Sequence, residues 1–341
     1  MSYSKSQTDK AGDILRKNNL SKEDADKNME ILSAWREKHI YPLTVFNRRL
    51  KLFSEKLDKS ALIVNRLKRV PSIVNKLNRM TLKLTQMQDI AGCRSIMGNV
   101  DLVYSLYKNH YKNGDLRHKL VKVNDYIMNP KKDGYRSLHL VYKYISDKND
   151  KYDGLQIEVQ IRSKLQHIWA TAVETAGFFK KQQLKSNKGE DKWLHFFKLV
   201  SSAFAIEEEM PLIEGVSKNK SELYNEIIQL EKELQVKVRM KQWADTIDYL
   251  RHVKDERDVH FFLLELDLIQ DKLLVRVFNK RQEKKAIAKL LEIEKKIYDN
   301  PNYDTVLIGA DTLKNLEQAY PNYFLDTKEF IKKLDKILDY K

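Results

Sequence analysis

An alternating stretch, Leu155 to Arg162, carries the residue types in this chain that are best placed to do chemistry. Its sequence, Leu-Gln-Ile-Glu-Val-Gln-Ile-Arg, puts apolar side chains on one face of a predicted strand and Glu158, Gln160 and Arg162 on the other. A carboxylate, an amide and a guanidinium in one row can bind a charged ligand. The same pattern is also typical of a strand that only makes a sheet edge soluble, so this stretch alone leaves both interpretations open.

Two upstream segments have the same polar character. Residues 87–96 place Asp89 just before a short apolar run that contains Arg94. Residues 124–139 form a loop rich in turn residues, and its Asp133-Gly134 pair is a strong turn signal that also lets the backbone approach a ligand closely. Together the three segments supply two carboxylates, several cations and an aromatic ring. That set suits a polyphosphate with a divalent metal and a stacked base.

Four segments resemble, in order and spacing, motifs of the synthetase domain of the RelA/SpoT family. Arg66 to Lys76 is similar to its basic nucleotide-binding motif, Asp89 to Arg94 to its first acidic motif, Asp125 to His139 to its substrate loop, and Glu158 to Arg162 to its second acidic motif. The resemblance implies an α+β fold, a nucleotidyltransferase-like mixed sheet with flanking helices. It also implies transfer of pyrophosphate from ATP to a ribose 3′-hydroxyl with release of AMP, and therefore Mg²⁺ as cofactor and ATP as donor.

The resemblance also implies roles for individual residues. Asp89 and Glu158 are the implied catalytic carboxylates and metal ligands, since Mg²⁺ takes carboxylate and phosphate oxygens rather than a full protein cage. Glu158 is in addition a candidate base for the attacking hydroxyl. Tyr135 is implied to stack on the acceptor base. Without the resemblance, each acid is better interpreted as an ordinary surface residue.

Basic side chains are the candidates for binding ATP, since a guanidinium stacks on adenine and forks onto phosphate while a lysine acts as a point charge. The predicted ATP-binding residues are Arg66, Lys68, Lys76, Arg94 and Lys131. The predicted acceptor-binding residues are Tyr135, His139, Gln160, Arg162, Lys180 and Lys181. Two of these have structural alternatives, because a lone strand histidine is often structural and Arg162 can pair with a nearby acid.

Composition restricts the class of protein. A length of 341 residues favours two domains over one. The hydrophobic content of 42% is enough to form hydrophobic cores. No apolar run approaches the length of a membrane span, and the N-terminus lacks a signal-peptide pattern. A single cysteine, Cys93, fits a reducing cytoplasm. We therefore expect a cytoplasmic enzyme with no membrane partner and no DNA partner.

The charge distribution indicates a polyanionic partner. The net charge is +15, and such a balance favours polyanions. Residues 59–88 contain no acid but several basic residues, which a nucleotide would account for. Residues 178–188 contain four lysines and no acid. This second run exceeds what ATP requires and makes RNA a candidate, with a solvated lysine face as the alternative.

Two acceptors are compatible with the implied chemistry. The acceptor is either GDP or GTP, which gives an alarmone, or the 3′-terminal adenosine of tRNA, as in the toxic small synthetases. Asn124 stands where long family members tend to carry lysine, which counts against a guanosine polyphosphate acceptor. A reading from another class is a catalytically inactive sensor or RNA-binding module that keeps the fold.

Periodicity divides the chain into three predicted parts. These are a pyrophosphokinase domain at 1–192, a helical connector at 193–258 and a small ββαβα-like domain at 259–341. Residues 1–20 are expected to be frayed. Residues 22–59 are expected to be helical with a break near Pro42.

The C-terminal part resembles that of CapRel-type fused toxin–antitoxin members of the family. Its Tyr-x-x-Tyr element is formed by Tyr320 and Tyr323. The resemblance implies that this element blocks the ATP site at rest and that a phage protein, with a capsid protein as the expected trigger, releases it. This predicts an autoinhibited tRNA-modifying toxin that acts in antiviral defence. Two tyrosines three apart on a helical turn are as often core residues, so that interpretation stays open.

Overall fold

The structure, a computed structural model, describes most of the chain. The described residues are 3–17, 20–68, 70–112, 114–146, 150–182, 190–253, 259–267, 269–270, 272–296, 303–309 and 323–340. The chain forms two compact units. One is made of residues 1–129 with 136–164, and the other of residues 130–135 with 165–341. A short loop of the second unit therefore interrupts the first unit in sequence.

The first unit combines five described α-helices with a five-stranded sheet. Its helices are α1 (Lys5–Leu15), α2 (Lys22–Lys38), α3 (Ile40–Leu57), α4 (Val70–Arg79) and α5 (Val100–Leu106). Its strands are β1 (Leu62–Leu67), β2 (Ala91–Met97), β3 (Lys119–Asp125), β4 (Leu138–Lys143) and β5 (Gln156–Ser163). Short helical turns lie at Leu84–Gln86, Tyr107–Lys112 and Asp150–Tyr152. The strand order is β1-β2-β5-β4-β3.

The sheet is mixed, because β2 and β5 run parallel while the other neighbouring pairs are antiparallel. Strand β5 alternates as its sequence predicts, with Ile157, Val159 and Ile161 fully buried. Helices α3 and α5 pack on this apolar face, where Ser54 of α3 hydrogen-bonds Ser95 of β2 across 2.8 Å. The opposite face is left to the polar residues of the same strands. The predicted α+β class with a mixed sheet and flanking helices is confirmed.

Lys5–Leu15 forms a helix, so the expectation that residues 1–20 are frayed is wrong for this part of the segment. Ser4 and Gln7 form a capping box that satisfies backbone groups at the start of α1. Farther along α1, Asp9 accepts a hydrogen bond from the Thr85 backbone N–H at 2.9 Å, and Arg16 donates to the Leu82 carbonyl. The polar composition of the segment hid a helix that is held by long-range contacts.

The break in the long N-terminal helix falls at His39, three residues before the predicted break at Pro42. Helix α2 ends at Lys38, and α3 begins at Ile40. Pro42 lies in the first turn of α3, where a missing backbone N–H removes no helical hydrogen bond. The proline is therefore accommodated inside the second helix rather than between the two.

The second unit contains a helical bundle and a three-stranded antiparallel sheet. Its described α-helices are α6 (Lys164–Gln182), α7 (Glu190–Glu207), α8 (Lys220–Leu234), α9 (Val236–Val253), α10 (Glu283–Lys296) and α11 (Tyr323–Leu338). Its strands are β6 (Phe261–Asp267), β7 (Lys272–Phe278) and β8 (Tyr303–Gly309), in the order β7-β6-β8. In the part of the tail that the structure describes, the element order is β6-β7-α10-β8-α11, as the ββαβα-like pattern predicts.

The last helix belongs to the core of the bundle. Phe330, Leu334 and Ile337 of α11 are buried in one cluster with aromatic residues of α7 and α9, among them Phe196 and Trp243. A separate cluster lies between the tail sheet and α10. The predicted boundaries at 192 and 258 stay predictions of domain organisation, since the second unit includes residues from both sides of each boundary.

Within the described ranges, no helix has both the length and the apolar character needed to cross a membrane.

Candidate active site

A row of polar side chains crosses four strands on the sheet face opposite α3. Arg94 of β2 is paired with Gln160 of β5, Gln160 with His139 of β4, and His139 with Asn124 of β3. Directly paired residues share a face of the sheet, and Glu158 shares it as well because it lies two residues before Gln160. Arg94 Nε donates to Gln160 Oε1 at 2.9 Å, and Gln160 Nε2 donates to Glu158 Oε2 at 2.7 Å. The sheet register alone therefore assembles this polar row.

The Glu158 carboxylate is held on both oxygens. His139 Nδ1 lies 2.9 Å from Glu158 Oε1, and the Tyr126 ring meets the His139 ring edge-on at 5.3 Å. Burial raises the pKa of Glu158, but the hydrogen bonds and charge from His139 and Gln160 outweigh it and leave the pKa below its ordinary value. A carboxylate with a lowered pKa suits a metal ligand better than a base, which works best with a pKa near the working pH.

Asp89 is bracketed by two lysines. Lys68 Nζ lies 2.9 Å from Asp89 Oδ2, and Lys76 Nζ lies 2.9 Å from Asp89 Oδ1. The antiparallel pairing of β1 with β2 brings Lys68 beside the residues before β2, where its backbone N–H donates to the Ile90 carbonyl at 2.7 Å. Burial raises the pKa of Asp89, yet the two lysines dominate and hold that pKa below its usual range. Asp89 is thus an anion at neutral pH.

The two carboxylates fit a Mg²⁺ ion that also takes phosphate oxygens. The charge of Asp89 opposes ionisation of Glu158, so the two groups act on each other electrostatically. Gly92 is paired with Glu158, and a Cβ at Gly92 would meet the Glu158 carbonyl oxygen at 3.2 Å. Among the described residues there is no group of three or more His, Cys, Asp or Glu that could hold a metal. A pair of carboxylates matches Mg²⁺, which usually binds one or two carboxylates with substrate phosphates.

Arg66 lies on the edge strand of this sheet. It is paired with Gly92 across β1 and β2, and its side chain is exposed. Paired residues share a face, so Arg66 lies on the face that carries Glu158. With Lys68 and Lys76 this gives a cationic border along one side of the acidic pair. The nucleotide-binding roles of these residues stay predictions.

Tyr135 and Lys131 belong to the loop of the second unit. Lys131 Nζ lies 5.0 Å from the centroid of the Tyr135 ring, a cation–π contact. The Tyr135 backbone N–H donates to Asp133 Oδ1 at 3.0 Å, and the Lys131 N–H donates to the Tyr135 carbonyl at 3.2 Å. The tyrosine is half-buried and the lysine exposed. The loop presents a cation and an aromatic face as one group.

Arg162 is closed to solvent, with 2% of its surface exposed. It shares a strand face with Glu158 and Gln160 but lies at the far end of β5. This burial favours the structural alternative for Arg162, and its contact with substrate stays a prediction. His139, at 9% exposure, is also buried, and its contact with Glu158 gives it a role in the acidic site.

Several predicted residues cannot be placed. Lys180 and Lys181 lie in the last turn of α6, and their side chains are outside the described residues. Tyr320 lies outside the described residues altogether. Tyr323 is the first residue of α11, and its side chain is likewise outside the described part.

No sequence motif pointed to the residues that support the site from distant parts of the chain. Arg36 Nε donates to the Lys68 carbonyl at 2.9 Å, and Ser201 Oγ donates to the Gly134 carbonyl at 2.6 Å. Each lies more than 30 positions from its partner in the chain. Of the three supporting residues Arg36, Tyr126 and Ser201, only Tyr126, which contacts His139, lies in a segment that the motifs identified.

The comparisons with known proteins agree with these motifs. The family model described as "Region found in RelA / SpoT proteins" matches residues 65–184. GTP pyrophosphokinase YwaC of Bacillus subtilis (strain 168) is 36% identical over 113 residues, which are 31% of this chain and 53% of that protein. GTP pyrophosphokinase YjbM of the same organism is 30% identical over 156 residues, which are 45% of this chain and 71% of that protein.

The chain belongs to the RelA/SpoT family. The matched segment spans about half the length of YwaC and more of YjbM. A crystal structure of small alarmone synthetase 1 from Bacillus subtilis is similar at 25% identity and a TM-score of 0.44, over 52% of this chain and 92% of that one. The predicted RelA/SpoT family is confirmed, and membership of the CapRel-type subfamily stays a prediction. The matched residues include the predicted catalytic carboxylates Asp89 and Glu158 and the predicted acceptor-stacking Tyr135, so all three lie in the RelA/SpoT region.

Proposed function

We propose that this RelA/SpoT-family chain transfers pyrophosphate from ATP to a ribose 3′-hydroxyl. The observation that carries the proposal is the pair of ionised carboxylates, Asp89 and Glu158, each held by basic or amide side chains on one side of a mixed sheet. Relatives named GTP pyrophosphokinases support the reaction class. An inactive module that only keeps the fold has no need for two ionised carboxylates of this kind.

The reaction places separate demands on the donor side and the acceptor side. The acceptor O3′ forms a bond to the β-phosphorus of ATP, the bond from that phosphorus to the α–β bridging oxygen breaks, and AMP leaves with the electron pair. The 3′-hydroxyl proton passes to water as its oxygen attacks. Asp89 and Glu158 would hold Mg²⁺, which supplies charge neutralisation for the phosphates when bound.

The lysines have two candidate partners in this scheme. Lys68 and Lys76 contact Asp89 in the structure, and both are predicted to bind ATP phosphates. A phosphate is a strong acceptor for an ammonium group, so ATP competes with Asp89 for these lysines. We propose that the lysines neutralise Asp89 before ATP binds and contact the phosphates once it has bound. Arg66 and Arg94 would complete the cationic side of the donor site.

Replacing either carboxylate tests the proposed reaction. Asp89→Asn and Glu158→Gln keep shape but remove the negative charge, so we expect transfer from γ-³²P-ATP in Mg²⁺ to fall at least about 100-fold for each, since each change removes charge stabilisation at the phosphates. Asp150→Asn, a change at an exposed acid of the same unit, is the matched control. Transfer that survives both site variants at wild-type rate would refute the proposal.

For the acceptor we propose the 3′-terminal adenosine of tRNA, so that the reaction blocks translation. The support is the net charge of +15 and the acid-free lysine run at 178–188. The second candidate is GDP or GTP, with an alarmone as product, and the printed names of the two relatives favour it. To separate the two candidates, the whole protein is incubated with γ-³²P-ATP and either tRNA or GDP/GTP. The acceptor that becomes labelled is the substrate. Loss of tRNA binding with rising salt would accompany the first outcome.

We further propose that the tail inhibits the enzyme in the resting cytoplasmic protein and that a phage protein, in the first instance a capsid protein, releases it in antiviral defence. The support is the Tyr320–Tyr323 element and the order of synthetase, helices and small β-containing tail, which resemble CapRel-type toxin–antitoxin proteins. A tethered blocker acts at a high effective concentration, so modest contacts suffice to compete with ATP.

A further inference from the structure

The loop that carries Tyr135 is fastened to the helical bundle of the second unit. Ser201 of α7 donates its hydroxyl to the Gly134 carbonyl at 2.6 Å. Ser201 is 2% exposed, so water does not compete for this hydrogen bond. The bond joins two residues 67 positions apart. It is therefore a tertiary anchor of the loop and not a local turn contact.

Gly134 fits this anchor because it has no side chain. Its φ is +97°, a region that favours glycine. A Cβ at Gly134 would lie 2.9 Å from the Trp169 ring and 3.0 Å from Ser201 Cβ. Trp169 is itself fixed, since its Nε1 donates to the Phe197 carbonyl at 2.8 Å. The Gly134 backbone thus lies in a tight slot between α6 and α7.

Hydrogen bonds within the loop connect the anchored Gly134 to Tyr135. The Gly134 N–H donates to the Lys131 carbonyl at 2.9 Å, and the Lys131 N–H donates to the Tyr135 carbonyl at 3.2 Å. These bonds close a compact turn around the Gly134 carbonyl that Ser201 holds. The Tyr135 ring also packs against the apolar core of the bundle. The orientation of this ring is therefore set by the bundle helices.

We propose that Ser201 is a positioning residue for the acceptor, which acts by holding the Gly134 carbonyl and hence the Tyr135 ring. The inference rests on the proposed function, in which Tyr135 stacks on the acceptor base. Ser201 lies beyond residues 65–184, the part that matches the family model. Helix α7, which follows the region that matches the family model, then contributes to acceptor binding as well as to the packing of the second unit.

Ser201→Ala in the full-length chain tests the inference, and Ser202→Ala is its matched control. Ser202 is the next residue of the same helix, equally buried, and its hydroxyl donates to the Lys198 carbonyl of α7. We expect Ser201→Ala to weaken the affinity for tRNA, or for GTP if that is the acceptor, by about five-fold, the size expected for one hydrogen bond. Affinity for a non-hydrolysable ATP analogue should fall by about two-fold at most, because only one of the five predicted ATP-binding residues, Lys131, lies in this turn.

Hydrogen exchange gives a second readout that does not require turnover. Amides of residues 131–135 should exchange faster in Ser201→Ala than in Ser202→Ala, with similar melting temperatures for the two variants. If both variants lose acceptor affinity equally, or neither changes loop exchange, Ser201 is only a structural residue and the inference is wrong. If the wild-type chain neither binds nor modifies any acceptor, the proposed function fails and the inference falls with it.

Discussion

Asp89 shows how single residues prepare the site before a nucleotide arrives. Two lysines contact its two oxygens, and their attraction outweighs the cost of burying the carboxylate. A group whose pKa is depressed by folding stabilises the fold above its unfolded pKa, and this stabilisation is lost as the pH falls through the folded pKa. Asp89 and Glu158 both belong to this type. The contribution of these two carboxylates to the free energy of unfolding is therefore expected to decrease in acid.

Removing one lysine should raise the pKa of Asp89. In Lys76→Met the carboxylate stays buried but keeps only Lys68, so the acid loss of stability should begin at a higher pH than in the wild-type chain. At pH 7 we expect a loss of about 1–2 kcal/mol in the free energy of unfolding. Urea unfolding at a series of pH values between 7 and 3 measures both effects.

Lys83→Met is the control for charge alone, since Lys83 belongs to the same basic run and is exposed. The pH at which the free energy of unfolding begins to fall is compared in the two variants. If it shifts equally in both, general charge, and not the contact with Asp89, is responsible.

At the scale of elements, the sequence identified what was periodic and missed what depends on distant contacts. The β5 alternation, the β6–β7 pair and the helix near 283–296 followed from local pattern. Strand β1 was missed because it is a largely exposed edge strand without clean alternation. Helix α1 was missed because its few apolar residues become a packing face only against α2 and the 82–87 segment. The polar row across four strands needed the sheet register, which the sequence did not specify.

The junction between α2 and α3 is predicted to be sensitive to acid. His39 is 1% exposed, and burial lowers its pKa from 6.5 to about 4, although its contact with the Trp35 carbonyl acts the other way. Between these values the unfolded chain takes up a proton that the folded chain does not, so stability falls as the pH drops from about 6.5 to about 4. The loss should total about 3 kcal/mol.

His39→Gln removes this titration while keeping a donor for the Trp35 carbonyl. Its free energy of unfolding, measured by chemical denaturation at pH 7.5 and 4.5, should change less between the two values than that of the wild-type chain. His260→Gln, at an exposed histidine, is expected to follow the wild type. A variant of His39 with undiminished acid sensitivity would assign the effect to other groups.

At the scale of the whole molecule, the tail is joined to the bundle by its last helix. Phe330, Leu334 and Ile337 fill the core of the second unit, and His167 of α6 lies 3.0 Å from Asp326 of α11 with both side chains largely buried. Deleting the tail would expose this core and destabilise the second unit. Removal of one buried phenylalanine side chain alone costs about 3–5 kcal/mol. A test of inhibition by the tail therefore needs a point variant in the full-length chain.

Tyr323→Ala is that variant. If the Tyr-x-x-Tyr element blocks the ATP site, losing one aromatic ring should shift the chain toward the open state, and transfer from labelled ATP should rise at least about ten-fold without a trigger, since about 1.4 kcal/mol of lost contact changes the equilibrium by that factor. Expression of the variant should then arrest growth, and adding Glu158→Gln should abolish the arrest because it removes the chemistry. Tyr303→Ala, at an exposed tail tyrosine, controls for aromatic loss in general. Wild-type transfer and normal growth in Tyr323→Ala would rule out blocking by this residue while leaving the proposed reaction itself intact.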